Sequence, residues 1–183
     1  MVDLVVLQSV SYIVAAIGVL VAAFYYALTL RETSRNRRVT LTTNLMQSFF
    51  SEEGNRRFVD LMNMAWKDFD DFVKRYDSHV NPDSFTKRMT FWNACEILGY
   101  QYKSGLIDIE TLYTVCGNWI ILGWMKFKPI IDEYRKFDYS KDTFENFEYL
   151  AFELSKIKAQ RDPSYKGSAS YFKPEEYEKT FTK

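Results

Sequence analysis

The sequence predicts an all-α protein, with a single N-terminal transmembrane helix followed by a small helical bundle. Three observations predict this fold class. The 27 residues from Leu4 to Leu30 contain no charged side chain. After residue 50, apolar residues recur at the i, i+3, i+4 and i+7 spacing of amphipathic helices. No stretch alternates between apolar and polar residues and ends in turn signals, as a half-buried β-strand would.

Residues 4–30 are predicted to be a transmembrane helix. At about 1.5 Å per residue, a helix of this length is roughly 40 Å long and exceeds the ~30 Å hydrocarbon layer. A cleaved signal peptide is the competing interpretation, but it has a basic start and an apolar run of about 7–15 residues. This chain starts Met-Val-Asp, and its apolar run is much longer. We therefore expect the helix to stay attached as a membrane anchor.

Residues 31–50 are predicted to form a basic juxtamembrane helical stalk. Its charge is concentrated in four arginines, which are Arg31, Arg35, Arg37 and Arg38. Arginine near a membrane end remains on the cytoplasmic side, and the other flank of the apolar run holds only Asp3. We expect the N-terminus outside the cell membrane and the C-terminal domain in the cytoplasm. Thr40, Thr42 and Thr43 disfavour helix, so a break near Val39 is an alternative.

The four arginines are expected to contact membrane lipid rather than nucleic acid. A basic side chain near an anionic surface gains about 1 kcal/mol from the headgroups. Single-stranded nucleic acid is bound by basic grooves with interleaved aromatic residues, and this cluster contains none. The rest of the chain is mildly acidic, and the whole chain has no net charge.

A stripe of small residues runs along the predicted membrane helix. Its members are spaced at i, i+4, i+7 and i+11, which places them on one face: Ser11, Ala15, Gly18 and Ala22. Small residues let a second helix approach closely in lipid, where packing drives association. The alternative is that such residues are common in membrane helices and make no contact here. The stripe predicts a protein partner or a homo-oligomer.

Residues 51–160 are predicted to form the helical bundle. Apolar residues from Phe58 to Tyr76 keep helical spacing, which predicts a single amphipathic helix there. Asn81 and Pro82 are typical of the N-cap and the first residue of the next helix. That helix is expected to stop at Gly105, because glycine is the common residue just after a helix end.

Asp108 is predicted to cap the central buried helix, which we expect to end near Pro129. The uncharged run at 111–125 has 15 residues and is shorter than the roughly 17–25 needed to cross a bilayer. A re-entrant membrane segment is the alternative. A last helix is predicted from Lys141 to Ala159. Residues 161–183 are predicted to be an extended or disordered tail, whose aromatic residues dock either on the bundle or on a partner.

The sequence shows no recognisable catalytic or cofactor motif. His79 is the single histidine and lies in a polar break, so a zinc or copper site of the usual type is not expected. Cys95 and Cys116 lie among apolar residues without a CxxC motif, which favours buried thiols in a reducing compartment. Glu96 lies in a mostly apolar helix and needs a partner, which is either structural or catalytic. We expect no cofactor and no enzymatic activity, unless Glu96, Asp108 and His79 meet in one cleft.

The segment from Asn93 to Arg135 resembles a widespread family of small uncharacterised prokaryotic proteins. The resemblance rests on a helix ending in K/R-x-G-hydrophobic, a D-x-E-x-x-Y start, a glycine and a W-x-x-hydrophobic-K-P stretch. The matching residues are Lys103, Gly105, Asp108, Glu110, Tyr113, Gly117, Trp124, Lys128 and Pro129. The resemblance implies one N-terminal membrane helix and a cytoplasmic helical domain, with these residues as caps and packing points. It implies no activity.

Together these features predict a non-enzymatic, membrane-anchored interaction protein, either a scaffold or an accessory subunit of a larger membrane assembly. The alternative is a membrane-tethered sensor or regulator that binds a ligand or a protein through the bundle. An apolar cavity among Trp92, Trp119 and Trp124 would favour the sensor.

Overall fold

A computed structural model describes residues 4–137 and 139–164 of the chain, and these residues form helices and no strands. The helices are α1 (Leu4–Phe50), α2 (Glu52–Asn63), α3 (Phe69–Tyr76), α4 (Pro82–Lys103), α5 (Ile109–Phe137) and α6 (Glu145–Arg161). The all-α prediction is confirmed. The chain divides into two compact units, 1–41 and 42–183. Most of the predicted tail, from residue 165 onward, lies outside the described residues.

The first unit contains an apolar helix. Its segment Leu7–Ser34 has 28 residues and contains an 18-residue window with a mean hydropathy of 2.3 and no buried residue, so it is long and apolar enough to cross a membrane. The hydroxyls of Ser9, Ser11, Thr29 and Thr33 each donate to the backbone carbonyl four residues earlier. These bonds satisfy the hydroxyls within the helix, as a hydrocarbon environment requires. Val39 is helical, so α1 has no break there.

The second unit is a bundle around an aromatic core. Helix α6 packs against both α4 and α5, and α2 and α3 contact α4. Two glycines permit close approach within the bundle. A Cβ on Gly99 would lie 2.1 Å from the backbone oxygen of Asn146, and a Cβ on Gly123 would lie 2.4 Å from the Phe91 ring. Small residues at these positions therefore set how closely the helices pack.

The prediction of a single helix from Phe58 to Tyr76 is wrong, because α2 ends at Asn63 and α3 begins at Phe69. The Nζ of Lys126 in α5 donates to the carbonyl oxygens of Met62 and Met64, both at 2.7 Å. Carbonyl groups at the end of a helix have no N–H donor within the helix, and the ammonium group of Lys126 donates to these two carbonyls instead. Asp68 then caps α3 by accepting from the N–H of Asp71 at 2.8 Å.

The predicted end of the central helix near Pro129 is also wrong, because α5 continues to Phe137. Ile130, Ile131 and Tyr134, all beyond the proline, are buried in the core. Burial of such side chains is worth about 1.5–3 kcal/mol each, whereas proline inside a helix costs about 3 kcal/mol. Helix α6 begins at Glu145, four residues later than predicted.

Candidate functional site

The small-residue stripe is open along α1. Ser11, Ala15, Gly18 and Ala22 are exposed, and a Cβ on Gly18 would meet no described atom within 4 Å apart from its chain neighbours and the backbone of its own helix. Large apolar side chains that are also exposed occupy the rest of the helix surface, including Leu20 and Phe24. No described residue of the first unit covers this surface, so within that unit it is open to lipid or to another helix.

The predicted arginine cluster lies in the same helix. Arg31 and Arg37 are exposed, whereas the side chains of Arg35 and Arg38 lie outside the described part of the structure. Each exposed guanidinium offers a planar set of N–H donors. An exposed guanidinium donates readily to phosphate oxygens.

Two of the predicted motif residues end and begin helices. Gly105 has a φ of +68°, which favours glycine, and it follows the last residues of α4. The N–H of Leu106 donates to the oxygen of Gln101 at 3.0 Å, which completes a Schellman-type helix end. Asp108 accepts from the N–H and from the hydroxyl of Thr111, both at 2.8 Å. Both residues are caps, as predicted.

The other motif residues lie along α5. The Tyr113 ring stacks under the guanidinium of Arg161 at 4.6 Å, and Gly117 is buried facing Leu154 of α6. Trp124 is fully buried, with its ring centroid 5.0 Å from that of Phe147. Pro129 is exposed inside α5 and contributes neither a cap nor core packing.

Glu96 is a helix cap supplied by a different helix. Its carboxylate accepts from the N–H of Asn146 at 3.3 Å, the side-chain amide of Asn146 at 2.7 Å and the N–H of Phe147 at 2.8 Å. The residue before α6, Phe144, has a φ of 61° and offers no side-chain cap. Glu96 therefore satisfies the free N–H groups at the start of α6, where a negative charge is also favoured by the helix dipole.

The three residues whose convergence would indicate catalysis are dispersed. His79 is exposed before α4, Glu96 lies in the middle of α4, and Asp108 lies beyond its end. At about 1.5 Å per residue, roughly 20 Å of helix separates the start of α4 from Glu96. Cys95 and Cys116 are buried free thiols. Burial raises the pKa of Cys116 to about 12 and that of Cys95 well above its usual value, which disfavours thiolate chemistry.

Sequence reasoning missed a buried arginine. Arg88 of α4 is fully buried, and its guanidinium carbon lies 4.7 Å from the Phe72 ring centroid, 4.9 Å from that of Trp92 and 5.7 Å from that of Tyr134. Phe85 lies 5.2 Å away on the fourth side. The signal was present in the sequence, because Arg88 stands i+3 from Phe85 and four residues before Trp92, on the apolar stripe of its helix.

A polar groove of about 560 Å³ lies between α2 and α4. Its charges are paired with one another. The ammonium of Lys87 contacts Asp60 at 2.8 Å and Asp83 at 2.9 Å, and its hydrogen bonds to these carboxylates raise the pKa of Lys87. Arg57 pairs with Glu53 in the same way. Because three of its lining residues are acidic and three are basic, the groove offers no excess of either sign to a ligand.

The three tryptophans do not share an environment. The rings of Trp92 and Trp124 are fully buried against phenylalanines, and Trp119 stacks on Phe58 with centroids 4.3 Å apart. A cavity beside Trp119 has a volume of about 30 Å³, which is far smaller than the roughly 300–1,000 Å³ of a small-molecule site.

A family model described as a domain of unknown function (DUF4760) matches residues 12–153. The match begins in the apolar part of α1 and ends in α6, so the candidate membrane span and the bundle belong to one family pattern. Comparisons with curated proteins and with solved structures found no match.

Proposed function

The chain belongs to the DUF4760 family of unknown function, which confirms its resemblance to an uncharacterised family, and from this premise we propose that it is a non-enzymatic, membrane-anchored interaction protein. The observation that carries the proposal is the apolar segment Leu7–Ser34, whose apolar window contains no buried residue among those that the structure describes. Apolar surface of this extent requires lipid or a partner helix. The protein is a scaffold or an accessory subunit of a membrane assembly.

The orientation follows from charge. The arginines of residues 31–38 face the cytoplasm, the N-terminus lies outside, and the bundle is cytoplasmic. Two buried free thiols are compatible with a reducing compartment. Exposed Arg31 and Arg37 supply charge for anionic headgroups.

Lateral association uses the stripe of Ser11, Ala15, Gly18 and Ala22. An exposed small-residue face on a helix without covering protein is the surface that close helix packing in lipid requires. The partner is a second copy of the chain or the membrane helix of another subunit. A sensor that binds a ligand through the bundle is the alternative, and the separate environments of Trp92 and Trp119 do not favour it.

The experiment is chemical crosslinking of the tagged full-length chain in its membrane, followed by gentle detergent extraction and sizing. We expect an assembly larger than a monomer. Gly18→Ile should reduce it strongly, because the added side chain separates the helices. Ala27→Ile is the matched control, since residue 27 lies about half a turn away from the stripe on a helix of 3.6 residues per turn.

Two results would contradict the proposal. The first is a wild-type chain that is found only as a monomer, because the proposed assembly would then not exist. The second is an equal loss of assembly in Gly18→Ile and Ala27→Ile, because any added side chain, and not its position on the stripe, would then explain the effect.

A further inference from the structure

We propose that residues 52–76 form a conformational switch with two states. In the bent state, which the structure shows, α2 and α3 are separated by the non-helical residues 64–68. In the continuous state, the whole segment is one helix. The switch belongs to the bundle and is independent of lateral association through α1.

The break between α2 and α3 contains no glycine and no proline, and neither residue occurs anywhere in 55–81. The break does contain methionine, alanine and lysine, which are good helix formers, and its opposing local signal is the N-cap Asp68. The apolar positions also stay on one helical face across the break: Phe58, Leu61, Met62, Ala65, Phe69, Phe72 and Tyr76. Most local signals therefore favour the continuous state.

Two side chains hold the break by bonding backbone carbonyls that a continuous helix would use itself. The Nζ of Lys126 donates to the oxygens of Met62 and Met64, both at 2.7 Å. The hydroxyl of Tyr76 donates to the oxygen of Ala65 and accepts from its N–H, both at 3.2 Å. In a continuous helix each of these three carbonyls would instead accept from the N–H four residues later.

The N–H groups that belong to these missing helical bonds are open in the bent state. They are the N–H groups of Trp66, Asp68 and Phe69, which have no hydrogen-bond acceptor among the described residues. In the continuous state they would donate to the carbonyls that Lys126 and Tyr76 now occupy. The two states therefore compete for the same backbone groups.

The contacts of α3 belong to the bent state alone. On a continuous helix Tyr76 would lie about 16.5 Å along the axis from Ala65, beyond the reach of its side chain. The rings of Trp66 and Phe72, whose centroids are 5.0 Å apart, would lie on different faces and about 9 Å apart along the axis. Phe72 is fully buried, and this burial favours the bent state. The switch thus changes which apolar side chains the bundle presents, because Phe72 leaves its present site in the continuous state.

The test is hydrogen exchange of the full-length protein in detergent, measured by mass spectrometry on peptides that cover residues 64–70. Lys126→Met keeps the length of the side chain and removes the donors to the two carbonyls. We expect exchange of the amides at the break to become about tenfold slower or more, because they enter helical hydrogen bonds. If Lys126 only braces the chain, its loss should make the same amides exchange faster.

Tyr76→Phe is the second variant, since it removes the hydroxyl that bonds Ala65 and keeps the ring. It should slow exchange at the same amides. Lys128→Met is the matched control on α5, because Lys128 pairs with Asp132 and does not contact the break. This control should exchange as the wild type does.

Two outcomes would overturn the proposal. One is unchanged or faster exchange of residues 64–70 in both Lys126→Met and Tyr76→Phe, because the segment then has no continuous state to enter. The other is an equal slowing in Lys128→Met, because the effect would then not depend on the bonds of Lys126 to the break.

Discussion

At the scale of single residues, some helix-capping side chains act on neighbours in the sequence, and others act on residues that are distant in the sequence. Asn81 and Asp108 cap the helices that they precede, with acceptor–donor distances of 3.0 and 2.8 Å, three residues along the chain. Both were predicted, because an N-cap is a local signal. Glu96 caps α6 from a position 50 residues away in the sequence, and no sequence pattern near residue 145 indicates this cap.

We predict that Glu96→Ala destabilises the protein by about 1–3 kcal/mol, because it leaves part-buried N–H groups at the start of α6 without an acceptor. Glu96→Gln should cost less, since the amide retains one acceptor oxygen. The measurement is denaturant unfolding of the detergent-solubilised chain, monitored by circular dichroism. The dependence of the unfolding free energy on denaturant concentration should be the same in the variant and the wild type.

Glu53→Ala is the control for this prediction. Glu53 is exposed and pairs with Arg57 one turn away, so its loss should change the stability by less than about 1 kcal/mol. Equal effects at Glu53 and Glu96 would show that the cap does not hold α6.

At the scale of helices, the positions of breaks depended on packing. Helix α2 stops where Lys126 of α5 reaches its carbonyls, and α5 continues through Pro129 because the residues beyond it are buried. Local propensity predicted the opposite in both places. Tertiary contacts outweigh propensity when they supply a missing donor or bury several large side chains.

We predict that Gly99→Ala is more destabilising than Gly123→Ala. The new methyl group at Gly99 meets backbone atoms of Asn146, which cannot move without shifting α6, whereas that at Gly123 meets the Phe91 ring. Overpacking typically costs about 1–3 kcal/mol, and we place Gly99 at the upper end.

The same unfolding assay measures both variants, and Gly117→Ala serves as the control, because its Cβ meets no atom closer than 3.4 Å. The reverse order for Gly99 and Gly123 would mean that α4 and α6 are less closely fitted than the structure indicates.

At the scale of the whole molecule, the chain consists of an uncovered apolar helix and a bundle with its own core, described as two units. Many of the largest aromatic side chains of the bundle are fully buried, and its charged groove is internally paired.

The orientation prediction belongs to this scale. If the arginines keep the C-terminal side in the cytoplasm, as we propose, a reporter fused after Lys183 should resist external protease in intact cells and become sensitive after permeabilisation. Replacing Arg31, Arg35, Arg37 and Arg38 by glutamine should raise the fraction cleaved from outside. Digestion of the wild-type fusion in intact cells would reverse the assigned topology.

Much of the fold followed from the sequence, because its signals are local. The uncharged run at residues 4–30, the caps Asn81 and Asp108 and the glycine end at Gly105 each depend on neighbours within a few residues. Hydrophobic spacing likewise predicted helices throughout. The candidate site residues were found only in part: the exposed stripe at Gly18 was recognised from spacing, whereas Arg88 was overlooked although it interrupts an apolar stripe.

The sequence by itself determined that the chain is helical, that its first helix is long and apolar enough for a membrane, and where most helices begin. Only the tertiary structure decided which acid caps α6, which lysine ends α2 and which arginine is sealed among aromatic rings. The physical reason is the separation in sequence over which each interaction acts. Helix caps and hydrophobic periodicity act over one or two turns, whereas Glu96 and Lys126 act on groups 50 and 64 residues away that meet only when the bundle packs.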